Sequence, residues 1–252
     1  MIRLDVAFLP SELGAKSLPG ALVIVIDVVR ATTTITTALA QGCAFILPVL
    51  HVNDAFALQR QYEHLLPLPL LGGERGGQRV EGFDLGNSPQ EYRSDVVKDK
   101  GIILSTTNGT RTLLAVKEAS SIVIGSFLNV SAVCQYILHY AQNNHAQDQE
   151  HVVILACAGV ANTFSLEDSV CAGMFVHRLA ACTSNISPTS AATAAEILYT
   201  HYQSDLLTML RNSDGGRRLS RIGLASDLAA CAEVDKYPLV PIFQAGKIVL
   251  KI

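Results

Sequence analysis

The sequence predicts an α/β fold, with helices layered on both faces of a mostly parallel or mixed sheet. Three observations favour this class. Short runs rich in Val and Ile alternate with segments of helical periodicity along the chain. These runs are continuously apolar, which is typical of parallel strands covered on both faces. Hydrophobic residues make up 49% of the 252 residues and charged residues only 16%, so the chain can bury a large core.

The strands and helices are expected in alternation along the chain. Each strand is predicted where β-branched residues dominate, and each helix where apolar residues recur every three or four positions. The predicted strands are 2–8, 21–28, 44–49, 101–106, 121–126, 151–158 and 247–252. The predicted helices lie near 31–41, 53–65, 109–118, 129–145, 166–181, 189–203 and 215–231. The first and last strands are expected as antiparallel strands at the edges of the sheet.

The composition narrows the class of protein. We interpret residues 1–252 as a single α/β domain, and the polar stretch 141–150 is the best candidate for a boundary if there are two lobes. A net charge of −3 and the lack of Trp argue against partners such as nucleic acid or an anionic membrane. The start of the chain does not resemble a signal peptide, and the six scattered cysteines are interpreted as buried thiols, Cys157 among them. A cytoplasmic protein is therefore expected, and its oligomeric state stays open, with a homo-oligomer among the alternatives.

Four loops are the candidates for a functional site. In open α/β sheets, the loops that leave the carboxyl ends of strands build the site, and on that ground we single out four segments. They are DVVRATTT (27–34), the glycine-rich stretch 71–92, STTNGTRT (105–112) and CAGVANTFSLED (157–168).

Asp27 ends the apolar run ALVIVID, where an unpaired carboxylate would be costly. Two interpretations are open. In one, Arg30 pairs with Asp27, and Thr32 only begins a helix. In the other, which location and chemistry both favour, Asp27 is a ligand of Mg²⁺ and Arg30 a phosphate clamp, because a hard cation prefers carboxylate oxygens. Thr32 is then a candidate for substrate binding.

The stretch 71–92 holds the densest glycine cluster of the chain. Six of the 18 glycines fall within the fifteen residues from 72 to 86. Paired glycines let the backbone approach a ligand closely, so we interpret this segment as wrapped around a small charged ligand. Glu74, Arg75 and Asp84 would then face the ligand. The alternative is that these acids pair with the arginines of the same segment.

The segment 105–112 has two interpretations as well. Asn108-Gly109 is a common hairpin turn. However, the residues that follow have helical character, and a hydroxyl-rich loop with glycine at the start of a helix favours an anion. We prefer the helix start, which makes the loop 106–110 a candidate for substrate binding.

Two serines carry the spacing of helix caps. Ser88 is followed by Pro89 and by Glu91, which is a capping-box pattern. Ser165 stands three residues before Asp168, with Asp in place of the usual Glu. Capping explains Asp168 and leaves Glu167, the other acid of that turn, open to a catalytic role.

The ordered set of these pieces resembles the 2-phosphosulfolactate phosphatase family. The matching pieces are DVVRATTTI, GGERGG with GFDLGNSP, TTNGT, CAG with FSLED, and DGGRRLSRIGLASDL, and they span residues 27–228. The resemblance implies a magnesium-dependent acid phosphatase of coenzyme M biosynthesis with an α/β fold. It also implies hydrolysis of (2R)-2-phospho-3-sulfolactate to 3-sulfolactate and phosphate.

The loops and the resemblance together assign roles to individual residues. The candidate catalytic residues are Asp27, Arg30, Glu74, Arg75, Glu167 and Asp168. The candidate Mg²⁺ ligands are Asp27, Glu74, Asp84 and Asp168. The candidate substrate-binding residues are Thr32, Asn87, Thr106, Thr107, Asn108, Gly109 and Thr110. Which acid activates the water stays open. The alternatives to this function are a phosphatase of another small anionic ester and a non-catalytic sensor of such metabolites.

Overall fold

The α/β class is confirmed by the computed structural model, which describes residues 1–64, 67–143 and 150–251. Strands of the described residues form one mixed sheet in the order β5-β4-β6-β3-β11-β10-β7-β2-β8-β1-β9. The strands are β1 (Ile2–Ala7), β2 (Leu22–Ile26), β3 (Phe45–Pro48), β4 (Leu70–Arg75), β5 (Gln78–Arg79), β6 (Gly101–Ser105), β7 (Ser121–Gly125), β8 (His151–Cys157), β9 (Ile186–Pro188), β10 (Pro241–Gln244) and β11 (Lys247–Leu250).

Helices cover the sheet on both faces, as the layered α/β prediction required. They are α1 (Ala31–Ala40), α2 (Val52–Gln61), α3 (Ser94–Val97), α4 (Gly109–Ala115), α5 (Val130–Asn143), α6 (Leu166–Cys182), α7 (Ser190–Tyr202), α8 (Leu206–Asn212), α9 (Asp214–Arg221) and α10 (Asp227–Cys231). Short 3₁₀ turns lie at Pro10–Ala15, Pro89–Glu91 and Phe127–Asn129.

Alternate residues of β2 enter two different cores, because successive side chains of a strand point to opposite faces. Leu22, Ile24 and Ile26 pack with the buried residues of α5 and α6. Val23 and Val25 pack in the other core, with buried residues of α1, α4, β3 and β6. A smaller core lies under α2, against the outward-facing residues of β4 and β6.

The sheet curls so that distant strands meet. Five strand spacings separate β2 from β6 in the sheet order, which would be roughly 24 Å in a flat sheet. Nevertheless, Val25 of β2 and Leu104 of β6 line the same small cavity. The curl brings the carboxyl ends of β2 and β6 together, and this places the loops 27–34 and 105–112 next to each other.

The prediction for the terminal strands is wrong for the first strand and for the edge position of the last. The first strand, β1, pairs in parallel with both β8 and β9, so it is neither antiparallel nor an edge. The last strand, β11, is antiparallel but lies inside the sheet, between β3 and β10. The reason is that β10 and β11 form a hairpin that enters the sheet between β3 and β7.

One predicted helix is two. The expected helix at 215–231 is interrupted, because α9 ends at Arg221 and α10 begins at Asp227. Gly223 lies between them with a φ of 79°, a left-handed conformation that ends a helix. The candidate lobe boundary at 141–150 falls mostly on residues 144–149, which lie outside the described residues. In the described ranges, no helix combines the length and the apolar character that a membrane span requires.

Candidate active site

Four carboxylates of the predicted loops lie together at the carboxyl ends of β2, β4 and β8. Asp27 follows β2 directly, Glu74 is on β4, and Glu167 and Asp168 are in the first turn of α6. All four residues are at most 7% exposed. Asp84, the remaining predicted metal ligand, is exposed at the surface instead, and its carboxylate accepts a hydrogen bond from the N–H of Leu71 at 2.8 Å.

Burial is the first cause of the raised pKa values of these acids, and neighbouring charges add to it. Burial raises the pKa of Asp27 to about 7, with further increases from the charges of Glu74 and Glu167 and an opposing effect of the Ala31 N–H. Burial, followed by the charges of Asp27 and Glu167, holds the pKa of Asp168 well above its usual range. Burial also raises the pKa of Glu167. Desolvated like charges are typical of functional sites.

Two of these carboxylates tie the loops to one another. Glu74 accepts hydrogen bonds from the N–H of Thr107 at 2.8 Å and the N–H of Gly77 at 2.7 Å. Asp168 accepts from the N–H of Val28 at 2.8 Å and the N–H of Gly159 at 3.2 Å. Since both oxygens of each side chain are engaged, Glu74 and Asp168 hold the backbone of the site in place.

The glycine-rich segment is mainly a β-hairpin, and β4 was not expected from its sequence. Arg75 pairs with Gln78, which leaves Gly76 and Gly77 as a two-residue turn with φ values of 63° and 89°. Both values lie in the left-handed region that such tight hairpins require. Gly73 has a φ of 141°, and a Cβ there would lie 2.1 Å from the carbonyl oxygen of Ser105. The glycines therefore serve strand packing and the turn, and they bring Glu74 beside the end of β6.

Arg30 is held by the protein rather than free for an anion. Its guanidinium donates to the carboxylate of Asp227 at 2.6 Å, and both side chains are only about 2% exposed. It also donates to the carbonyl of Gly77. The hydroxyl of Ser88 donates to the other oxygen of Asp227 at 2.6 Å. Ser88 therefore stands at the predicted N-cap position, before the 3₁₀ turn Pro89–Glu91, but its side chain does not make the predicted capping bond. Asp227 is a site residue that sequence reasoning missed, because it lies nearly two hundred positions from Arg30 in the chain.

Arg75 is also held by hydrogen bonds within the protein. Its guanidinium donates to the carbonyls of Glu74, Ser105 and Leu50, at 2.6, 3.2 and 2.8 Å, and to the Ser105 hydroxyl at 2.9 Å. These bonds fix the hairpin against β6 and the segment after β3. The structure thus gives Arg75 a structural task that the sequence did not indicate.

The segment 105–112 begins a helix, and the hairpin alternative is wrong. The hydroxyls of Thr106 and Thr110 lie 3.0 Å apart, and each accepts from the other residue's N–H, so they stabilise the first turn of α4. The side chain of Asn108 accepts from Ala161 at 3.4 Å. At Gly109, a Cβ would lie 2.9 Å from Oδ2 of Asp27. The helix start therefore lies directly against Asp27.

Thr32 and Asn87 differ in whether their side-chain oxygens form hydrogen bonds. The hydroxyl of Thr32 donates to the carbonyl of Asp27 at 2.9 Å and accepts from its N–H at 3.1 Å, so it shapes the loop. The carbonyl of Asn87 accepts from the Thr34 hydroxyl at 2.9 Å, whereas its side-chain oxygen has no such bond.

Four buried polar atoms have no hydrogen-bond partner among the described residues. They are Oδ1 of Asn87, Oγ1 of Thr107, Oε2 of Glu167 and Nε of Arg218. Three of them belong to residues that the sequence assigned to the site. Buried polar groups are rarely left unpaired, so these atoms are where a ligand would complete the hydrogen bonding.

The cysteine at the end of β8 has no reactive character. Cys157 is fully buried, and its pKa is raised well above its usual value, first by burial and then by the charge of Asp168. A thiol in this state is not a nucleophile, because the thiolate is the reactive form.

The donor set suits a metal ion that the substrate helps to hold. Within the described ranges, no three His, Cys, Asp or Glu side chains form a ready metal cage. Mg²⁺ usually takes only one or two carboxylates, with water and phosphate oxygens completing its shell. Burial raises the pKa of Asp27, and the charges of Glu74 and Glu167 raise it further, so a divalent cation beside this carboxylate would stabilise its ionised form. The residues present therefore fit Mg²⁺ bound at Asp27.

Comparison with known proteins identifies the family of the chain. A family model described as 2-phosphosulpholactate phosphatase matches residues 7–246. A protein of Carboxydothermus hydrogenoformans is 38% identical over 99% of this chain and 98% of its own length. One of Clostridium acetobutylicum is 34% identical over 98% of this chain and 100% of its own length. A third, of Caldanaerobacter subterraneus subsp. tengcongensis, is 38% identical over 89% of this chain and 88% of its own length. Each of the three is named probable 2-phosphosulfolactate phosphatase. The chain belongs to the 2-phosphosulfolactate phosphatase family.

Proposed function

We propose that the protein is a Mg²⁺-dependent phosphatase that hydrolyses (2R)-2-phospho-3-sulfolactate to 3-sulfolactate and inorganic phosphate. The names of the relatives support the substrate. The observation that carries the reaction class is the cluster of buried acids beside partnerless polar atoms, since phosphate and metal chemistry needs such groups in one desolvated place.

Asp27 is proposed as the residue that holds Mg²⁺. Its position directly after β2 leaves it buried next to two further acids, and the start of α4 lies against its Oδ2. Bound Mg²⁺ would neutralise charge on the transferring phosphoryl group. Glu74 and Asp168 keep the surrounding loops in register through their backbone hydrogen bonds.

Glu167 is proposed as the general base that takes a proton from the attacking water. Its Oε2 is buried and has no partner in the described part of the chain, so this oxygen is free to accept a proton. Burial raises its pKa, against an opposing effect of the Ser213 and Ser165 hydroxyls, and a raised pKa makes the carboxylate a stronger base. Thr107 and Asn87 offer the remaining partnerless oxygens, and the Thr107 hydroxyl can also donate to the substrate.

The test is phosphate release from the wild-type protein with a panel of esters. The panel contains 2-phospho-3-sulfolactate, 2-phospholactate, glycerol phosphates and a simple alkyl phosphate, each with Mg²⁺ and with excess chelator. We expect the highest kcat/KM for 2-phospho-3-sulfolactate and little release in chelator.

Three outcomes would contradict the proposal in different ways. Full activity in chelator would remove Mg²⁺ from the mechanism. Binding of 2-phospho-3-sulfolactate without release of phosphate from any ester would favour the sensor, and a higher kcat/KM for another ester would reassign the substrate.

A further inference from the structure

Helix α9 forms a wall of the candidate active site. A Cβ at Gly215 would lie 2.1 Å from Oε1 of Glu167, so the helix backbone passes directly beside that carboxylate. Directly after the last residue of α9, a Cβ at Gly77 would lie 2.7 Å from the side chain of Ile222. Helix α9 therefore spans from the proposed base to the β4–β5 hairpin.

Arg218 lies one turn after Gly215 and borders the same face of α9, because residues three apart are neighbours on a helix. Its Nε is buried and has no hydrogen-bond partner among the described residues. The adjacent Arg217 is exposed and forms an ion pair with Asp214 at 2.6 Å. Arg218 as a whole is half-buried, but its Nε–H is buried without an acceptor in the described part of the chain. Because such an N–H is unfavourable, its place on the face of α9 that passes beside Glu167 points to a ligand anion.

The other two arginines of the site are already neutralised or engaged. Arg30 is paired with Asp227, and Arg75 donates to three backbone carbonyls. Four carboxylates line the same space. A substrate with several negative groups therefore needs a cation that is not already paired. The Nε–H of Arg218 has no acceptor among the described residues.

We propose that Arg218 binds an anionic group of the substrate other than the phosphate, namely the sulfonate or the carboxylate, neither of which reacts. It would thereby select phosphate esters that carry such a group. This inference rests on the proposed function, since it concerns the same site. The planar guanidinium matches the paired oxygens of a sulfonate or carboxylate. It would hold the substrate by a group on a carbon next to the one that carries the phosphate, while Mg²⁺ at Asp27 would hold the phosphate.

The test uses calorimetry to separate binding of the phosphate from binding of the other anionic groups. 3-Sulfolactate carries the second anion without phosphate, and inorganic phosphate is the other probe, each titrated into protein with Mg²⁺. In Arg218→Ala, we expect Kd for 3-sulfolactate to rise by roughly 10- to 100-fold, because charged hydrogen bonds are lost. Kd for phosphate should stay within about twofold of the wild-type value.

Arg221→Ala is the matched control, because Arg221 is an exposed arginine on the same helix. It should leave both dissociation constants unchanged. Arg218→Gln keeps most of the side-chain volume, and serves if the alanine variant does not fold. Equal weakening of both probes, no weakening of either, or no binding of 3-sulfolactate to the wild type would overturn the proposal. Failure of the proposed function is a distinct result, since the wild type would then release no phosphate from any ester.

Discussion

At the scale of single residues, Asp27 is where stability and the proposed function oppose each other. Its pKa in the folded protein is about 7, above the ordinary value of 3.8, and the first cause is burial. The folded state therefore prefers the protonated form, whereas the unfolded chain ionises near pH 4. Without a cation, stability is greatest below the unfolded pKa and is lost as the pH rises through 4 towards 7.

The first prediction concerns this pH dependence. In excess chelator, the free energy of unfolding of the wild type should fall between pH 5 and pH 8. Asp27→Asn should reduce that fall and should be more stable than the wild type at pH 8, because the neutral amide removes the buried charge. Urea unfolding at both pH values measures this. Asp54→Asn, at an exposed position of α2, should behave as the wild type. An unchanged slope in Asp27→Asn would contradict the pKa assigned to Asp27.

The second prediction separates the metal ligand from the base. In Asp27→Asn, phosphate release should need a higher Mg²⁺ concentration, because a ligand oxygen is lost. In Glu167→Gln, turnover should stay at least about 100-fold below the wild type even at saturating Mg²⁺, because proton transfer is lost. The measurement is kcat against Mg²⁺ concentration for both variants. The assignment is wrong if excess Mg²⁺ restores Glu167→Gln and leaves Asp27→Asn inactive.

The sequence was sufficient to predict some site residues but not others, because local patterns do not record long-range packing. Asp27 and Glu167 could be found because an acid after an apolar strand, or an extra acid in a capped turn, is unusual locally. The pairing of Arg30 with Asp227 depends on how α10 packs against the loop after β2, and no local pattern records that. Likewise, the burial of Nε of Arg218 results from how α9 packs, which no local pattern predicts.

At the scale of elements, the apolar strands were predictable and the glycine-rich one was not. Strand β2 is a continuous apolar run, and its burial on both faces gives it a clear signal. Strand β4 reads LLGGER, and two glycines remove the β-branched pattern on which strand prediction depends. Its place in the sheet is set instead by parallel pairing with β6, which is a long-range contact.

The third prediction tests why Gly73 is glycine. In Gly73→Ala, the new Cβ would meet the backbone of Ser105 in a conformation with a φ of 141°. The free energy of unfolding should fall by more than about 3 kcal/mol, since neither strand can move without breaking the β4–β6 pairing. Gly14→Ala is the control, because a Cβ at that position would meet no atom within 4 Å. Its effect should be within about 1 kcal/mol of zero. Equal effects in urea unfolding would show that close approach does not fix this position.

At the scale of the whole molecule, the C-terminal hairpin joins the two halves of the site. Strands β4 and β6, which carry Glu74 and the loop 105–112, lie on one side of the hairpin in the sheet order. Strands β2 and β8, which lead to Asp27 and to Glu167, lie on the other side. The sequence predicted the last strand but not its place, because hydrophobic pattern shows that a strand is buried and not which neighbours bury it.

The fourth prediction is that this hairpin governs both folding and the geometry of the site. Ile248 of β11 is fully buried and pairs with Ile46 of β3. Ile248→Ala should lower the free energy of unfolding by about 2–5 kcal/mol, since it leaves a cavity between the two halves of the sheet. Gln244→Ala, at an exposed position of the same hairpin, should change it by less than about 0.5 kcal/mol. Deletion of residues 241–252 should abolish cooperative unfolding by circular dichroism, because β3 and β7 lose the strands between them. A deleted protein that still unfolds cooperatively and releases phosphate would show that the two halves of the site are held together without the hairpin.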